Sequence, residues 1–175
     1  PQRKTQCLLI PVLPLRHFAS LKDCALDDPR LPTPLFVIDS QKLEKNLRRA
    51  KDRAAKLGVA FRPHLKTHKS IGIALRQMTT PQGPATVSTL AEARYFGARG
   101  VTDLIYAVGI APQKLAEVSR LRSLGADIKI ILDSAEAARA VSAFCRREKR
   151  RFPCSWKLMS TVTAPVFVLT VQSFC

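Results

Sequence analysis

The amino-acid sequence predicts an α/β fold built on a parallel β-sheet. Short apolar runs alternate with amphipathic segments of helical length, and glycines follow several of these segments, as at Gly58, Gly100 and Gly125. Strands that alternate with helices of about 10–15 residues indicate βαβ units and a parallel sheet. Because the crossovers are right-handed, such units form either an open doubly wound sheet or a (β/α)8 barrel of the TIM type.

The N-terminal region is predicted to contain an extension, a strand and a helix. Residues 1–30 have no clear periodicity and are expected to be a poorly ordered extension. Pro32 and Pro34 exclude a helix, so the apolar run 35–38 is predicted to be a short strand. Ser40 is expected to cap the next helix. The apolar residues of this helix recur at helical spacing up to a terminating glycine: Leu43, Leu47, Ala50, Ala54, Leu57 and then Gly58.

Strand–helix units then follow one another along the chain. The predicted strands cover residues 59–65, 85–88, 103–108 and 128–132, and the predicted helices cover residues 70–78, 90–98, 112–124 and 134–149. In parallel α/β proteins the functional residues gather at the carboxyl ends of the strands. The residues at these ends are Lys66, Ser88, Thr89, Tyr106 and Asp133. No GxGxxG, GxxxxGK[ST] or GxSxG run follows a strand, which excludes dinucleotide, P-loop and hydrolase motifs.

Composition indicates a globular protein. Apolar residues make up 46% of the chain and charged residues 24%, and no apolar stretch approaches the roughly 20 residues of a membrane span. The five cysteines form no CxxC pair, and neither they nor the three histidines have zinc-site spacing. We therefore expect reduced thiols, a cytoplasmic location, no membrane partner and no metal ligands in this chain.

The net charge of +16 raises a nucleic-acid-binding protein as an alternative to an enzyme. The cations, however, are spread over helical faces, apart from the cluster RREKRR at residues 146–151. Aromatic residues that would stack on bases are few between them. The sequence therefore favours an enzyme over a nucleic-acid partner.

Lys66 stands at the end of a predicted buried strand, where burial disfavours a charged ammonium. Only a neutral amine attacks an aldehyde, and the nearby cationic side chains of Arg62 and Lys69 and the histidines His64 and His68 favour the neutral form. The alternative is a lysine that extends its ammonium from a strand end into solvent.

The run FRPHLKTHKSIGIALRQM around Lys66 resembles the lysine motif of the D-threonine aldolase and eukaryotic-type D-serine dehydratase family. TPLFVIDSQKLEKNL before it and ATVSTLAEARYFGARGVTDLIYA after it resemble the same family in order and spacing. The resemblance implies an alanine-racemase-like fold, here the N-terminal half of a (β/α)8 barrel in residues 31–152. It also implies the cofactor pyridoxal phosphate, with Lys66 forming the Schiff base.

The other cofactor-binding residues follow from the resemblance less directly. His64 is expected on the same side of its strand as Lys66, either beside the cofactor ring or as a core histidine. Thr89 and Tyr106 would line the cofactor pocket. The alternatives are a helix cap for Thr89 and simple packing for Tyr106.

Three further residues are expected to be structural. Asp133 is predicted to cap the helix that starts at Ser134. Glu92 is predicted to lie on a helix face, and Lys69 is predicted to lie one turn into a helix.

Residues 153–175 depart from the family pattern, which continues with a fifth barrel strand and an acidic, glycine-containing turn. This chain reads PCSWKLMSTVTAPVFVLTVQSFC instead. Codons for residues 156–166 can be chosen that, in a shifted frame, encode EVDVDGHRSG, which resembles the missing strand and turn. We therefore hypothesise a frame-shifted tail, a truncated barrel and an absent C-terminal β domain.

The resemblance implies a lyase that acts on small D-3-hydroxy amino acids, of the D-threonine aldolase or D-serine dehydratase type. The complete enzyme is expected to be a homodimer and to hold a divalent metal on a His and a Cys near its C-terminus. No residue here corresponds to those ligands, Cys154 and Cys175 included, and this chain alone is expected to be inactive. An amino-acid racemase of the same fold is the alternative, which the run RPHLKTHK disfavours.

Overall fold

The computed structural model describes residues 7–11, 35–158 and 167–171, with side chains over 38–155. The chain divides into two compact units. The first comprises residues up to 61 together with 68–79, and the second comprises residues 62–67 together with those from 80 onward.

The first unit contains a two-stranded antiparallel sheet and two helices. Strand β1 (Cys7–Pro11) pairs with strand β2 (Leu35–Asp39), and the helices are α1 (Ser40–Lys56) and α2 (Ile71–Gln77). The strand predicted at 35–38 is therefore confirmed. Strand β1 lies inside the extension predicted for residues 1–30 and was not anticipated; the rest of that extension lies outside the described residues.

Helix α1 is capped by Asp39, not by Ser40 as the sequence had indicated. The Asp39 carboxylate accepts a hydrogen bond from the backbone N–H of Lys42 at 3.0 Å. This bond holds the pKa of Asp39 below its ordinary value of 3.8. Cap and first helical residue are both cap-forming types, so the sequence alone could not choose between them. The predicted apolar stripe is half-buried at four positions and exposed at its last: Leu43, Leu47, Ala50, Ala54 and then Leu57.

Within the first unit, Lys51 ties α1 to the end of α2. Its ammonium donates to the backbone carbonyls of Arg76 at 2.8 Å and Met78 at 3.2 Å. The Arg76 side chain in turn pairs with Glu44 at 3.0 Å. Because the last carbonyls of a helix have no partner inside the helix, a lysine from a neighbouring helix stabilises that end.

The second unit is built on a five-stranded sheet. Its strands in sheet order are β3 (Ala85–Val87), β4 (Asp103–Gly109), β5 (Asp127–Leu132), β6 (Cys154–Leu158) and β7 (Phe167–Val171). The first four run parallel, and β7 is antiparallel to β6. The connecting helices are α3 (Leu90–Gly97), α4 (Leu115–Ser123), which follows a short 3-10 turn, and α5 (Ala135–Glu148). The predicted parallel α/β arrangement is confirmed.

The two faces of this sheet differ in burial. Val87, Tyr106 and Ile130 are register partners on one face, and all three are completely buried. Thr86 and Ile105, one residue earlier on β3 and β4, point to the other face and are half-buried. Since side chains alternate along a strand, the helices cover the first face and the second faces the interior expected of a barrel.

Charged side chains join the strands near their amino ends. Arg62 makes two bonds of 2.9 Å to the carboxylate of Asp103, and Lys129 adds a third at 3.0 Å. Burial alone would raise the pKa of Asp103, but the bonds from Arg62 and Lys129 outweigh it and lower the pKa below 3.8. This network links the segment before β3 to β4 and β5.

The structure adds to the sequence analysis at two segments, residues 59–65 and residues 154–158. The strand predicted for residues 59–65 is reduced to one bridge between His64 and Thr86, with residues 57–60 exposed. Residues 154–158, although they depart from the family pattern, form β6 and pair in parallel with β5. Cys154 and Ser155 are buried there. The frame-shift hypothesis itself stays a prediction.

Candidate functional site

Lys66 follows a short extended segment that lies beside β3. Leu65 donates its backbone N–H to the carbonyl of Thr86 at 2.9 Å, and Thr86 donates to the carbonyl of Pro63 at 2.8 Å. Pro63 and Leu65 are buried, while Lys66 begins a turn and is exposed. Of the two arrangements that the sequence allowed, the structure therefore shows the lysine whose side chain extends into solvent. Among the described residues, its ammonium has no hydrogen-bond or ion-pair partner.

His64 contacts both the Lys66 turn and the end of β3. Its Nδ1 accepts a hydrogen bond from the backbone N–H of Lys66 at 3.2 Å, and its Nε2 lies 3.3 Å from the Ser88 hydroxyl. Partial burial lowers the pKa of His64, the Lys66 charge lowers it further, and Glu92 opposes the change. His64 thus lies next to Lys66, as predicted, and links it to a second strand.

The N-terminus of α3 closes this cluster. Thr89 is its N-cap, because the Thr89 hydroxyl accepts from the backbone N–H of Glu92 at 3.1 Å. The Glu92 carboxylate accepts in return from the backbone N–H of Ser88 at 2.8 Å. Glu92 lies on α3, as predicted, and the structure adds that it is only 4% exposed. The run S-T-x-x-E resembles a capping box and could have revealed this pairing.

Tyr106 lies on the helix-covered face of the sheet, away from His64. Its side chain is fully buried, and its hydroxyl accepts a hydrogen bond from the ammonium of Lys114 at 2.9 Å. The structure therefore gives Tyr106 the packing role that was the alternative in the sequence. Thr89 likewise has the alternative role of a helix cap.

Asp133 stands at the carboxyl end of β5, but it does not cap α5. That cap is Ser134, whose hydroxyl accepts from the backbone N–H of Ala137 at 3.1 Å. The Asp133 carboxylate instead lies against Gly109, in the space that a Cβ atom at Gly109 would occupy. The Asp133 side chain can take this position because Gly109 has no side chain.

The second histidine of the motif repeats the geometry of the first within the other unit. His68 Nδ1 accepts from the backbone N–H of Ser70 at 3.1 Å, and its Nε2 lies 3.1 Å from the side-chain oxygen of Gln77. Burial lowers the pKa of His68, against these two bonds. Lys69 was predicted to lie one turn into a helix. It instead precedes α2, in a left-handed conformation with φ of 48°.

The described part of the chain contains neither a cluster of metal-binding side chains nor a helix that could span a membrane. It holds no group of three or more His, Cys, Asp or Glu side chains placed to bind a metal ion. None of its helices combines the length and apolar character needed to cross a bilayer.

The family model for the alanine racemase N-terminal domain matches residues 38–161. The chain belongs to the alanine racemase N-terminal domain family. The match contains the Lys66 turn, β3–β6 and the helices between them, and it runs past residue 152, where the resemblance in the sequence had been placed to end. This family membership confirms the predicted relationship.

The relatives of this family member include enzymes named for D-hydroxy amino acids. D-threo-3-hydroxyaspartate dehydratase of Delftia sp. (strain HT23) is 43% identical over 122 residues, which are 70% of this chain and 32% of the relative. D-serine dehydratase of Schizosaccharomyces pombe is 36% identical over 60% of this chain and 26% of the relative. D-threonine aldolase of Arthrobacter sp. is 36% identical over 65% and 30%. The chain spans about a third of the length of these relatives.

Solved structures agree with the family assignment. An alanine-racemase-like protein from Idiomarina loihiensis superposes with a TM-score of 0.68 at 38% identity, over 73% of this chain and 34% of that one. D-threo-3-hydroxyaspartate dehydratase from Delftia sp. HT23 superposes with a TM-score of 0.64 at 42% identity, over 67% and 31%. The predicted fold class is therefore confirmed.

Proposed function

We propose that the protein to which this chain belongs is a pyridoxal-phosphate-dependent lyase that acts on D-3-hydroxy amino acids. Lys66 is the residue that binds the cofactor aldehyde. The observation that carries this proposal is the position of Lys66. It lies in a family lysine motif, at the carboxyl edge of a parallel sheet, and its exposed amine has no partner in the part of the chain that the structure describes.

The side chains around Lys66 fit an aldehyde cofactor. An accessible primary amine is the group that such a cofactor requires, and the partly buried His64 lies beside it. Thr89 and Tyr106 use their hydroxyls for the α3 cap and for Lys114. The proposed attachment therefore rests on Lys66, with His64 beside it.

Bound pyridoxal phosphate supplies an electron sink for charge that develops at the α-carbon of an amino acid. Lys66 has two tasks in such a site. Its Nζ would hold the cofactor in the resting enzyme, and the same amine, once freed by an incoming amino acid, would take the α-proton in a dehydratase, where the β-hydroxyl then leaves. In an aldolase, loss of the β-hydroxyl proton would instead break the Cα–Cβ bond, and the α-proton would stay in place.

The substrate class comes from the relatives, whose names include a D-serine dehydratase, a D-threo-3-hydroxyaspartate dehydratase and a D-threonine aldolase. Each of these names denotes a D-amino acid with a hydroxyl on the β-carbon. Since the chain spans about a third of their length, turnover is proposed for the whole protein. A divalent metal, a homodimer and a cytoplasmic location belong to the same proposal.

A titration with pyridoxal phosphate, followed by absorbance of the covalent adduct, tests this function. The protein that contains this chain should form a saturable adduct that D-serine displaces and L-serine does not. Lys66→Ala should abolish it, whereas Lys69→Ala, the matched loss of a neighbouring exposed lysine, should retain it. Equal adduct formation by both variants, or equal displacement by both enantiomers, would contradict the proposal.

A further inference from the structure

Three consecutive hydrogen bonds run from the Lys66 turn to helix α3. The backbone N–H of Lys66 donates to His64 Nδ1 at 3.2 Å, and His64 Nε2 lies 3.3 Å from the Ser88 hydroxyl. The backbone N–H of Ser88 donates to the Glu92 carboxylate at 2.8 Å. The chain of bonds crosses from the segment before β3 to the residue after it.

The first bond fixes where the proton of His64 lies. A backbone N–H can only donate, so His64 Nδ1 must accept and cannot carry a proton. The single proton of the neutral ring is then on Nε2. His64 therefore donates from Nε2 to the Ser88 hydroxyl oxygen.

The second bond fixes what the Ser88 hydroxyl can still do. Its oxygen accepts from His64, and its own hydrogen has no acceptor among the described residues. The backbone N–H of Ser88 is already bound by Glu92, which keeps the residue in place. Ser88 is half-buried at the same edge of the sheet as Lys66. The remaining hydrogen of its hydroxyl can therefore be donated to a ligand at that edge.

We propose that His64 is a positioning residue, locked by the Lys66 backbone as the Nε2–H tautomer, and that it makes Ser88 a hydrogen-bond donor to an anionic oxygen of the ligand bound at Lys66. The donor role of Ser88 rests on the proposed function, whereas the tautomer of His64 does not. The anionic oxygen belongs either to the cofactor or to the carboxylate of the amino acid. A serine that accepts a bond from His64 turns its own hydrogen away from the ring, and the accepted bond polarises the hydroxyl and strengthens it as a donor.

Protonation of His64 removes this arrangement. A second proton would sit on Nδ1 and face the Lys66 N–H, so the turn and the Ser88 contact would separate. The charged groups that act on the ring are Lys66 on its own turn and Glu92 on α3, which have opposite effects on its protonation.

Nitrogen-15 NMR of the histidine rings in the full chain tests the tautomer without any cofactor. The chain has three histidines, and His64→Asn identifies the signals of His64 by their loss. We expect a protonated Nε2 and an unprotonated Nδ1 above the titration of the ring. Ser88→Ala should leave this tautomer unchanged, because the Lys66 N–H imposes it. A protonated Nδ1 in the unaltered chain would overturn the inference.

Adduct formation with pyridoxal phosphate tests the donor, with Ser123→Ala as the matched control for loss of an exposed hydroxyl. A hydrogen bond to a charged oxygen predicts that Ser88→Ala weakens ligand binding roughly tenfold. A weaker cofactor adduct places the bond on the cofactor, and weaker displacement by D-serine alone places it on the substrate. No change in either would overturn the donor role.

The tautomer of His64 and the donor role of Ser88 can be refuted independently of each other. His64→Asn supplies an acceptor for the Lys66 N–H but has no donor at the position of Nε2, so it should weaken binding as Ser88→Ala does, and the double variant should lose no more. Additive losses would contradict a pathway through His64. If the unaltered protein that contains this chain forms no adduct on Lys66, the proposed function and the donor role both fail, while the NMR result still decides the tautomer.

Discussion

The backbone N–H of Lys66 donates to His64 Nδ1 at 3.2 Å, two residues earlier in the chain. Ser70 makes the same bond to His68 at 3.1 Å. The run PHLKTHKS therefore contains two successive turns, each closed by a histidine ring that accepts a backbone N–H. In each turn the second ring nitrogen reaches a further residue, Ser88 for His64 and Gln77 for His68. The histidine spacing of the motif thus has a structural cause.

The pH dependence of stability should report the burial of His68. Burial lowers its pKa from 6.5, so below that value the unfolded chain binds more protons than the folded chain. The stabilisation is complete above pH 6.5 and is lost as the pH falls through the lowered folded value. Urea unfolding across this window should show a fall in stability that His68→Asn reduces. An unchanged pH profile in the variant would contradict a half-buried neutral His68.

Gly109→Ala should destabilise the second unit by displacing Asp133. An added Cβ at Gly109 would overlap the Asp133 carboxylate, and such overpacking costs about 1–3 kcal/mol. Gly97→Ala is the control, since a Cβ there would lie 4.0 Å from Ala126, an ordinary contact. Adding Asp133→Ala should recover most of the loss in urea unfolding. Equal costs in Gly109→Ala with and without Asp133 would show that the carboxylate is not the obstacle.

Asp103→Asn should weaken the network that joins the segment before β3 to β4 and β5. Arg62 and Lys129 would keep their charges and lose their shared carboxylate. Because the side chains are partly exposed, solvent screening limits the expected loss to about 1 kcal/mol at neutral pH. The loss should shrink in acid: the folded pKa of Asp103 lies below 3.8, and its stabilisation disappears as the pH falls through that folded value.

Thermal or urea unfolding measures this loss, with Glu136→Gln as a control. Glu136 pairs with Arg139 on the exposed side of α5, where both side chains are more than 70% exposed. That substitution should change stability little at any pH. A comparable effect of both substitutions would argue against a special role for the Asp103 network.

The tail hypothesis predicts a coding change in a short stretch of the gene. If the frame shifts near the codons for residues 153–165, resequencing should reveal an inserted or deleted base there. The corrected translation should then contain an acidic, glycine-containing turn after β5. An intact frame with the present codons would reject the hypothesis. The residues of β6 would then be a true departure from the family pattern.

The regular elements could be predicted from the sequence because their causes are local. Apolar periodicity located β4 and β5, and glycines located helix ends near Gly100 and Gly125. The burial of Glu92 could not be found by periodicity, because a backbone N–H from outside α3 pairs with it.

The orientation of Tyr106 also required the structure. Strands of parallel sheets are apolar on both faces, so alternation does not tell which face the helices cover. Lys66 is exposed, which was the alternative in the sequence, because its segment ends in a turn immediately after a single bridge at His64. The pairing of His64 with the Lys66 backbone depends on turn geometry that residue type alone does not specify.

Borohydride reduction after incubation with substoichiometric pyridoxal phosphate, followed by peptide mapping of every lysine, tests whether Lys66 is the lysine that binds the cofactor. We expect the adduct to concentrate on Lys66, while Lys69 and Lys114, which are also exposed, remain largely unmodified. An adduct spread evenly over the exposed lysines, in a sample shown to be folded, would contradict it.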